Sequence, residues 1–558
     1  MLCLVRIVEM SDKLKIGILH QGTEASYFQA QIINFLCNSD RFEVYWVKLQ
    51  TQETLAKKLK RKLDDRGLVS VVSDVFFKLF EQLEKSIFSV LKVSDNETTK
   101  MDAFYFYDTI EIGYTTRKFN SCYINGEGLK KLNSLKFDFL YRSSGGGIFK
   151  GDILGIPKHG IISLHHGDNN WNRGGPPGFW EVYRGLPTTG FIIQILNSNL
   201  DGGSVIERGW CRTARYYTLN RRAISIAANG CLIDFFERIS KEFPGVNLTS
   251  CPSNIFDGNI LRNPTFTQLI FYIGKVASRD AIKAAERYIF RRRHNWRIGY
   301  QFRSWQGASL GRSKTLIPPR GRFYADPFIF KRDEKVCIFY EDYSYSEQKG
   351  VISCSEVTTK GEFNKYEDLL NLDVHQSFPY LFECEGALYM VPETRGSRNI
   401  QLFRCDKFPD RWVKVKDLIN SINAVDSVIF YLDDVWWMLT TTAVDDFSKA
   451  DSILRCFKAK HPVLSEWKEC SASPLFRDPL VGRNGGILLL NDRIYRVSQT
   501  PGFQHYGKSC CIWEVSASNK ELYFSERQQI SADFSRKVKS IHHFHGGDQF
   551  FAFDFEVH

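Results

Sequence analysis

Apolar and polar residues follow two different rhythms along this chain. In the first half, the apolar run "KLKIGIL" (13–19) leads into "HQGTEASYFQAQIINFL", whose apolar positions recur at helical spacing, and then into "FEVYWVKL" (42–49). Strand, helix, strand in that order predicts a parallel α/β sheet of Rossmann type. Residues 52–95 are charged and amphipathic and read as a helical insertion. "MDAFYFYD" (101–108), "FDFLYRSS" (137–144), "GIISLHH" (160–166) and "TTGFIIQIL" (188–196) read as further strands, and the pattern is helical again from Arg212 to about Ser240. This predicts an α/β domain over 13–240, followed by a linker with some helix over 241–295.

The second rhythm begins at Trp296. Helical spacing disappears, aromatics become frequent, and short apolar runs alternate with Gly, Asp and Asn turns, an all-β texture. Runs beginning at Tyr324, Ser377, Val425, Asn484 and His542 resemble one another, and each of the first four is followed by a second strand-like run. A repeat of about 50 residues with several short strands per unit predicts a five-bladed β-propeller over 296–558.

Composition changes this picture little. At 558 residues the chain is long enough for two or three domains. Its 14 cysteines include no CxxC pair, so neither a disulfide framework nor a zinc site is expected, and no metal is assigned. With no apolar run of about 18 residues, no membrane span is expected and a cytoplasmic setting is. The net charge of +11 favours an anionic substrate. Its basic residues are scattered apart from "KKLKRK" (57–62), which argues against nucleic acid as a partner. Nothing bears on oligomeric state.

Chemistry concentrates in "GIISLHHGDNNWNRGGPPGFW" (160–180). Ligands of open parallel sheets bind beyond the carboxyl ends of strands, and alternation puts Ser163 and His165 on one side there. Downstream, Asp201 lies in a Gly-rich turn, and a His beside a carboxylate is suited to proton transfer. His166 reads as a loop or core histidine and Asp168 as a turn cap.

The segment from Phe137 to Gly209 resembles the catalytic core of the folate-dependent formyltransferases, in the runs "FDFLYRSSGGGIFKGDILGIPKHGIISLHHG" and "RGGPPGFWEVYRGLPTTGFIIQILNSNLDGG". The resemblance implies 10-formyltetrahydrofolate as formyl donor and an amine as acceptor. It puts the family's histidine on His165 and its aspartate on Asp201. The family's asparagine, which holds the formyl oxygen, falls on Ser163; a serine hydroxyl, Asn169 or Asn170 would then have to donate in its place. Gly145, Gly146, Gly147, Ile148 and Leu200 fall on the folate side, and Arg173 and Gly174 on the acceptor-side turn. The implied acceptor is an amino sugar, nucleotide-linked, for a surface polysaccharide.

The second half resembles the propeller of plant glucosamine inositolphosphorylceramide transferases and, more distantly, five-bladed glycoside hydrolases, through "YADPFIF", "SFPYLFECEGALYMVPE" and "AVDSVIFYLDDVWWMLTT". Asp326, Glu393 and Asp426 are the expected glycan-facing carboxylates, while Trp436 and Trp437 read as core. Two alternatives stand beside amino-sugar formylation: a catalytically silent formyltransferase-like domain in a glycan-binding protein, and a propeller that itself acts on glycosides.

Overall fold

The computed structural model describes residues 13–51, 53–90, 97–117, 121–145, 147–171, 173–199, 202–242, 248, 260–290, 293–443 and 452–557. Asp201, Leu200 and Gly146 lie outside the described residues. The chain divides into two compact units, one drawn mainly from residues up to Ser278 and the other mainly from Arg279 onward.

The first unit is built on a nine-stranded sheet. Its strands are β1 (Leu14–Gln21), β2 (Phe42–Thr51), β3 (Asp108–Arg117), β4 (Ser121–Ile124), β5 (Phe139–Arg142), β6 (Ile148–Phe149), β7 (Ile161–His165), β8 (Thr188–Ile195) and β9 (Ser204–Arg212). Their order is β9-β8-β7-β5-β1-β2-β3-β4-β6. Strands β7, β5, β1, β2 and β3 run parallel, while β8 turns back antiparallel on β7. The parallel core has apolar side chains on both faces, as expected for strands covered on both sides: Ile16, Ile18 and Leu19 of β1 are fully buried. Helix α1 (Tyr27–Cys37) begins with a capping box in which Ser26 and Gln29 satisfy each other's end of the helix.

The expected insertion is two helices, α2 (Leu55–Arg66) and α3 (Leu68–Val90), hinged at Gly67. Buried Glu84 of α3 holds two later helices, α4 (Tyr217–Glu242) and α5 (Phe266–Ala284). One carboxylate oxygen accepts from the Thr218 backbone N–H and hydroxyl at 2.6 Å each, and the other from the Tyr272 hydroxyl at 2.9 Å. A carboxylate suits the first turn of a helix, where backbone N–H groups lack partners.

One expected strand is corrected. "MDAFYFYD" is not a strand; Met101–Ala103 is a single 3₁₀ turn and the strand starts at Asp108. The Phe residues there serve side-chain packing instead: Phe106 lies 5.9 Å from Trp46 and 6.2 Å from Phe104.

In the second unit, five repeated strands, Arg322–Arg332, Ser377–Cys384, Ala424–Leu432, Asn484–Leu490 and Phe544–Gly546, each open an antiparallel run, and the last two pair in parallel so that their runs share one sheet. These starts match the sequence repeat. In the first four repeats this strand turns into the second through Asp333–Glu334, Glu385–Gly386, Asp433–Asp434 and Asn491–Asp492, all with φ between 48° and 76°. Left-handed backbone at both turn residues matches the twist of a hairpin, and Asp, Asn and Gly adopt it most readily. In the last sheet, Trp296–Gln301 from the start of the unit pairs with Phe551–Val557 from its end. The central strands interdigitate through Phe328, Phe378, Tyr380, Val428 and Ile487. Trp437 is buried and donates to the Leu432 carbonyl at 3.0 Å, so it belongs to the core as expected.

Candidate functional site

At the carboxyl ends of β5 and β7 lies a cleft of about 400 Å³. Ser163 and His165 both line it, on the same face of β7, as strand alternation requires. Directly opposite Ser163 in the antiparallel pairing stands Gln194 of β8. Gln194 is 3% exposed and lines the cleft, yet its buried side-chain oxygen finds no hydrogen-bond partner among the described residues. A buried carboxamide left open beside a cleft is costly unless a ligand completes it.

The opposite wall is the loop after β5. Gly145 and Gly147, at φ 76° and 73°, line it together with Ile148. At Gly145 a Cβ would approach Gln21 Cβ to 2.4 Å, so only glycine fits. The loop is fixed from several sides. Arg142 donates to the Gly145 carbonyl at 3.2 and 3.0 Å, the Gln21 N–H donates to Ser144 Oγ at 2.9 Å, and Gln29 Nε2 donates to the Ser143 carbonyl at 2.9 Å. Residues 143–145, so tied, have little freedom left to lose on binding.

The two asparagines expected as alternative donors do not line this cleft and are held by their side-chain oxygens, while Asn169 Nδ2 is buried with no partner among the described residues. Arg208 pairs with Asp168 and donates to Asn169 Oδ1 at 3.1 Å and Asn170 Oδ1 at 3.4 Å. Asp168 also accepts from the Asn170 N–H at 3.0 Å, the turn-capping role expected of it. Arg173 and Gly174 line neither cleft described here. Gly174, at φ 94°, would bring a Cβ to 2.2 Å from the Leu261 carbonyl oxygen, and the turn is pinned by Leu261 N–H to Arg173 and Gly175 N–H to Leu261.

A second cleft of about 580 Å³ shares Arg142, Ser143, Leu164 and His166 with the first. Its lining includes Lys78, Lys85, Arg221 and Arg222, with Glu81 as the acidic member. Glu81 pairs with both Arg221 and Lys85, leaving a strong cationic excess suited to phosphates. Burial, with some help from neighbouring His165, pushes His166 down to about 4, so it is neutral at pH 7.

In the second unit the structure brings Asp326, Glu393 and Asp426 into one buried network. Asp326 and Asp426 occupy left-handed backbone (φ 51° and 52°) at shifts in the pairing of their inner strands. Bulges of this kind re-aim a side chain. Arg483 Nε donates to Asp426 Oδ2 at 2.5 Å. Burial, then the Asp426 charge, raises Glu393 well above the usual carboxylate range, and burial raises Asp426 too. Two raised acids that hydrogen-bond each other share a proton. Sequence reasoning missed Glu341, also raised by burial and by Asp326, and His542. Burial alone would lower His542, but Asp554 and Asp326, at 2.8 and 3.3 Å, raise it to about 10. Asp326, His542 and Asp554 offer ligand atoms within 4.8 Å of one another. Asp554 also accepts from the backbone N–H groups of Asp326, His542 and His543, and His542 lies between the Asp554 and Asp326 carboxylates, so the trio is a buried charged clamp.

Comparison with known proteins separates the two stretches. Residues 313–553 match the family "Glucosamine inositolphosphorylceramide transferase 1, N-terminal". The transferase of that name from Arabidopsis thaliana is 30% identical over 234 residues, covering 40% of this chain and 30% of the relative. A methionyl-tRNA formyltransferase from Thermodesulfovibrio yellowstonii is 37% identical over 78 residues, 14% of this chain and 25% of the relative. The chain therefore spans less than a third of each of these relatives. Among solved structures, a Coprinopsis cinerea GH62 α-L-arabinofuranosidase catalytic domain aligns with 47% of the chain and 97% of its own length, at 9% identity and TM-score 0.33. A glycinamide ribonucleotide transformylase 1 from Symbiobacterium toebii aligns with 41% and 88%, at 13% identity and TM-score 0.27. Both curated relatives are named as transferases.

Proposed function

We propose that the first unit is a formyltransferase acting on the amine of a phosphate-bearing amino sugar, and that the second closes into a five-bladed propeller that holds glycan. The carrying observation is the fixed cleft in which Ser163, His165 and the open carboxamide of Gln194 face a glycine-lined loop. A reduced folate fits the residues present, since Gly145, Gly147 and Ile148 line the cleft and the unpartnered Gln194 Oε1 is an open acceptor for a ligand N–H. Gly145, Gly147 and Ile148 would hold it, and 10-formyltetrahydrofolate supplies the formyl carbon.

The remaining chemistry belongs to the chain. An amine attacks only when neutral, and His165 is the group available to take its proton as the new C–N bond forms. Negative charge gathers on the formyl oxygen, for which the Ser163 hydroxyl and the Gln194 Nε2 amide would be the neutral donors, while the unpartnered Gln194 Oε1 would accept from a ligand N–H. Lys78, Lys85 and Arg222 would hold the acceptor's phosphates in the adjoining cleft. The contribution of Asp201, which lies outside the described residues, is to orient His165. Incubation with 10-formyltetrahydrofolate and a panel of nucleotide-linked amino sugars should yield one formyl amide; folate left unconsumed across the panel counts against the reading.

The proton-sharing pair Glu393 and Asp426 favours a second reading, a glycoside-active site in the second unit. There, Glu393→Gln would abolish release of sugar from aryl glycosides; absence of such release by the unsubstituted protein rejects it. A formyltransferase-like domain without turnover would bind neither folate nor acceptor.

A further inference from the structure

Helix α3 buries two phenylalanines but leaves a stripe of aliphatic side chains on its outer side. Its buried side carries Ser73, Phe77, Glu84 and Phe88 and is anchored through Glu84 to Thr218 and Tyr272. Its aliphatic residues face outward: Leu68, Val72, Val75, Leu79, Leu83 and Ile87 are 42–69% exposed. Their spacing confines them to one stripe roughly 30 Å long at the usual helical rise. Beside it, Phe76 meets Phe266 of α5 at 5.2 Å, and Ile270, Phe271 and Ile273 of that helix are also exposed. The two helices thus present one broad apolar face, which a protein that stays in water rarely leaves open.

Immediately before α3, joined only by Gly67, is α2, "LAKKLKRKLDDR". It has six basic residues against two acidic ones, and Lys57, Lys58 and Lys60 are exposed with no ion pair among the described residues. A second copy of this chain would bring an identical basic helix to the interface and be repelled. An acidic lipid surface supplies the opposite charge and an apolar layer together. No helix among the described residues is long and apolar enough to cross a membrane, so the fit is to a surface.

We propose that α2, α3 and α5 form a docking face for an anionic bilayer, with the α3 stripe in the headgroup boundary and the α2 lysines on acidic headgroups. The proposal is independent of what the clefts do. Flotation of the full chain with phosphatidylcholine vesicles, with and without phosphatidylserine, tests it. Binding is expected only with the acidic lipid, weakened by added salt and lost in Leu79→Glu/Leu83→Glu. Reversing Lys57, Lys58 and Lys60 to Glu should weaken it by a hundredfold or more, at about fivefold per charge removed. No flotation with phosphatidylserine overturns the proposal, as does binding that survives the Leu79→Glu/Leu83→Glu change. So does a dimer, by sedimentation equilibrium, that the same change dissociates. Thermal melting of that variant should match the parent; a large drop would mean the stripe is covered by the chain itself and would also overturn it.

Discussion

Gln194 carries more of the candidate site than its surroundings in the sequence suggest. It is one carboxamide in the apolar run "TTGFIIQIL", and its role depends on which residue of β7 it faces. That register is a long-range pairing, so local pattern reveals the strand and not the partner. Ser163 and His165 were legible, because alternation along one short strand is a local property. Gln194→Met keeps the shape and removes the amide. It should lower kcat for formyl transfer by roughly a hundred- to a thousandfold, the effect of losing one such donor, with folate affinity changed far less. Steady-state kinetics with separate variation of folate and acceptor would check this, and an unchanged kcat would assign the oxyanion to Ser163 alone.

At the scale of elements, the apolar runs that became β1, β2, β5, β7 and β8 were legible, as were the five repeats of the second unit, because burial on both faces and hairpin turns leave local marks. The run 101–108 misled because aromatic residues favour strands and isolated aromatic packing alike. How the insertion docks was not legible: Glu84 is one acid on a charged helix until Thr218 and Tyr272 reach it from distant parts of the chain. Glu84→Ala should cost roughly 2–3 kcal/mol, since it strips a charged acceptor from buried donors. Gly145→Ala should cost about 1–3 kcal/mol through its left-handed backbone, with the clash against Gln21 adding to it. Urea denaturation of each variant measures both.

For the molecule as a whole, His166 and His542 should give pH responses of opposite sign. His166 is held near 4 when folded, against about 6.5 when unfolded, so its neutral form stabilises the first unit above pH 6.5 and that stability is lost as pH falls toward 4. His542 is raised to about 10, so its contribution to the second unit is fully present below about pH 6.5 and is lost as pH rises toward 10. The raised acids Glu393 and Asp426 act in the same direction as His542. Calorimetric scans across this range should show the first unit weakening in acid, and the second weakening in alkali through His542 on top of an acid-side loss from His543 and His545, which burial lowers. His166→Gln should shrink the first unit's acid limb, to which the lowered His20 and His159 also contribute, and His542→Gln should blunt the second unit's alkaline one.

The central claim is that the cleft between the Gly145 loop and Gln194 takes a reduced folate. Calorimetric titration with 5-formyltetrahydrofolate, which resembles the donor without giving up its formyl group, tests it most directly. The expected result is saturable binding of one equivalent per chain, weakened at least tenfold when Ile148→Trp fills the cleft, roughly the loss of 1.4 kcal/mol of binding. A flat titration, or binding that Ile148→Trp leaves untouched, would contradict it.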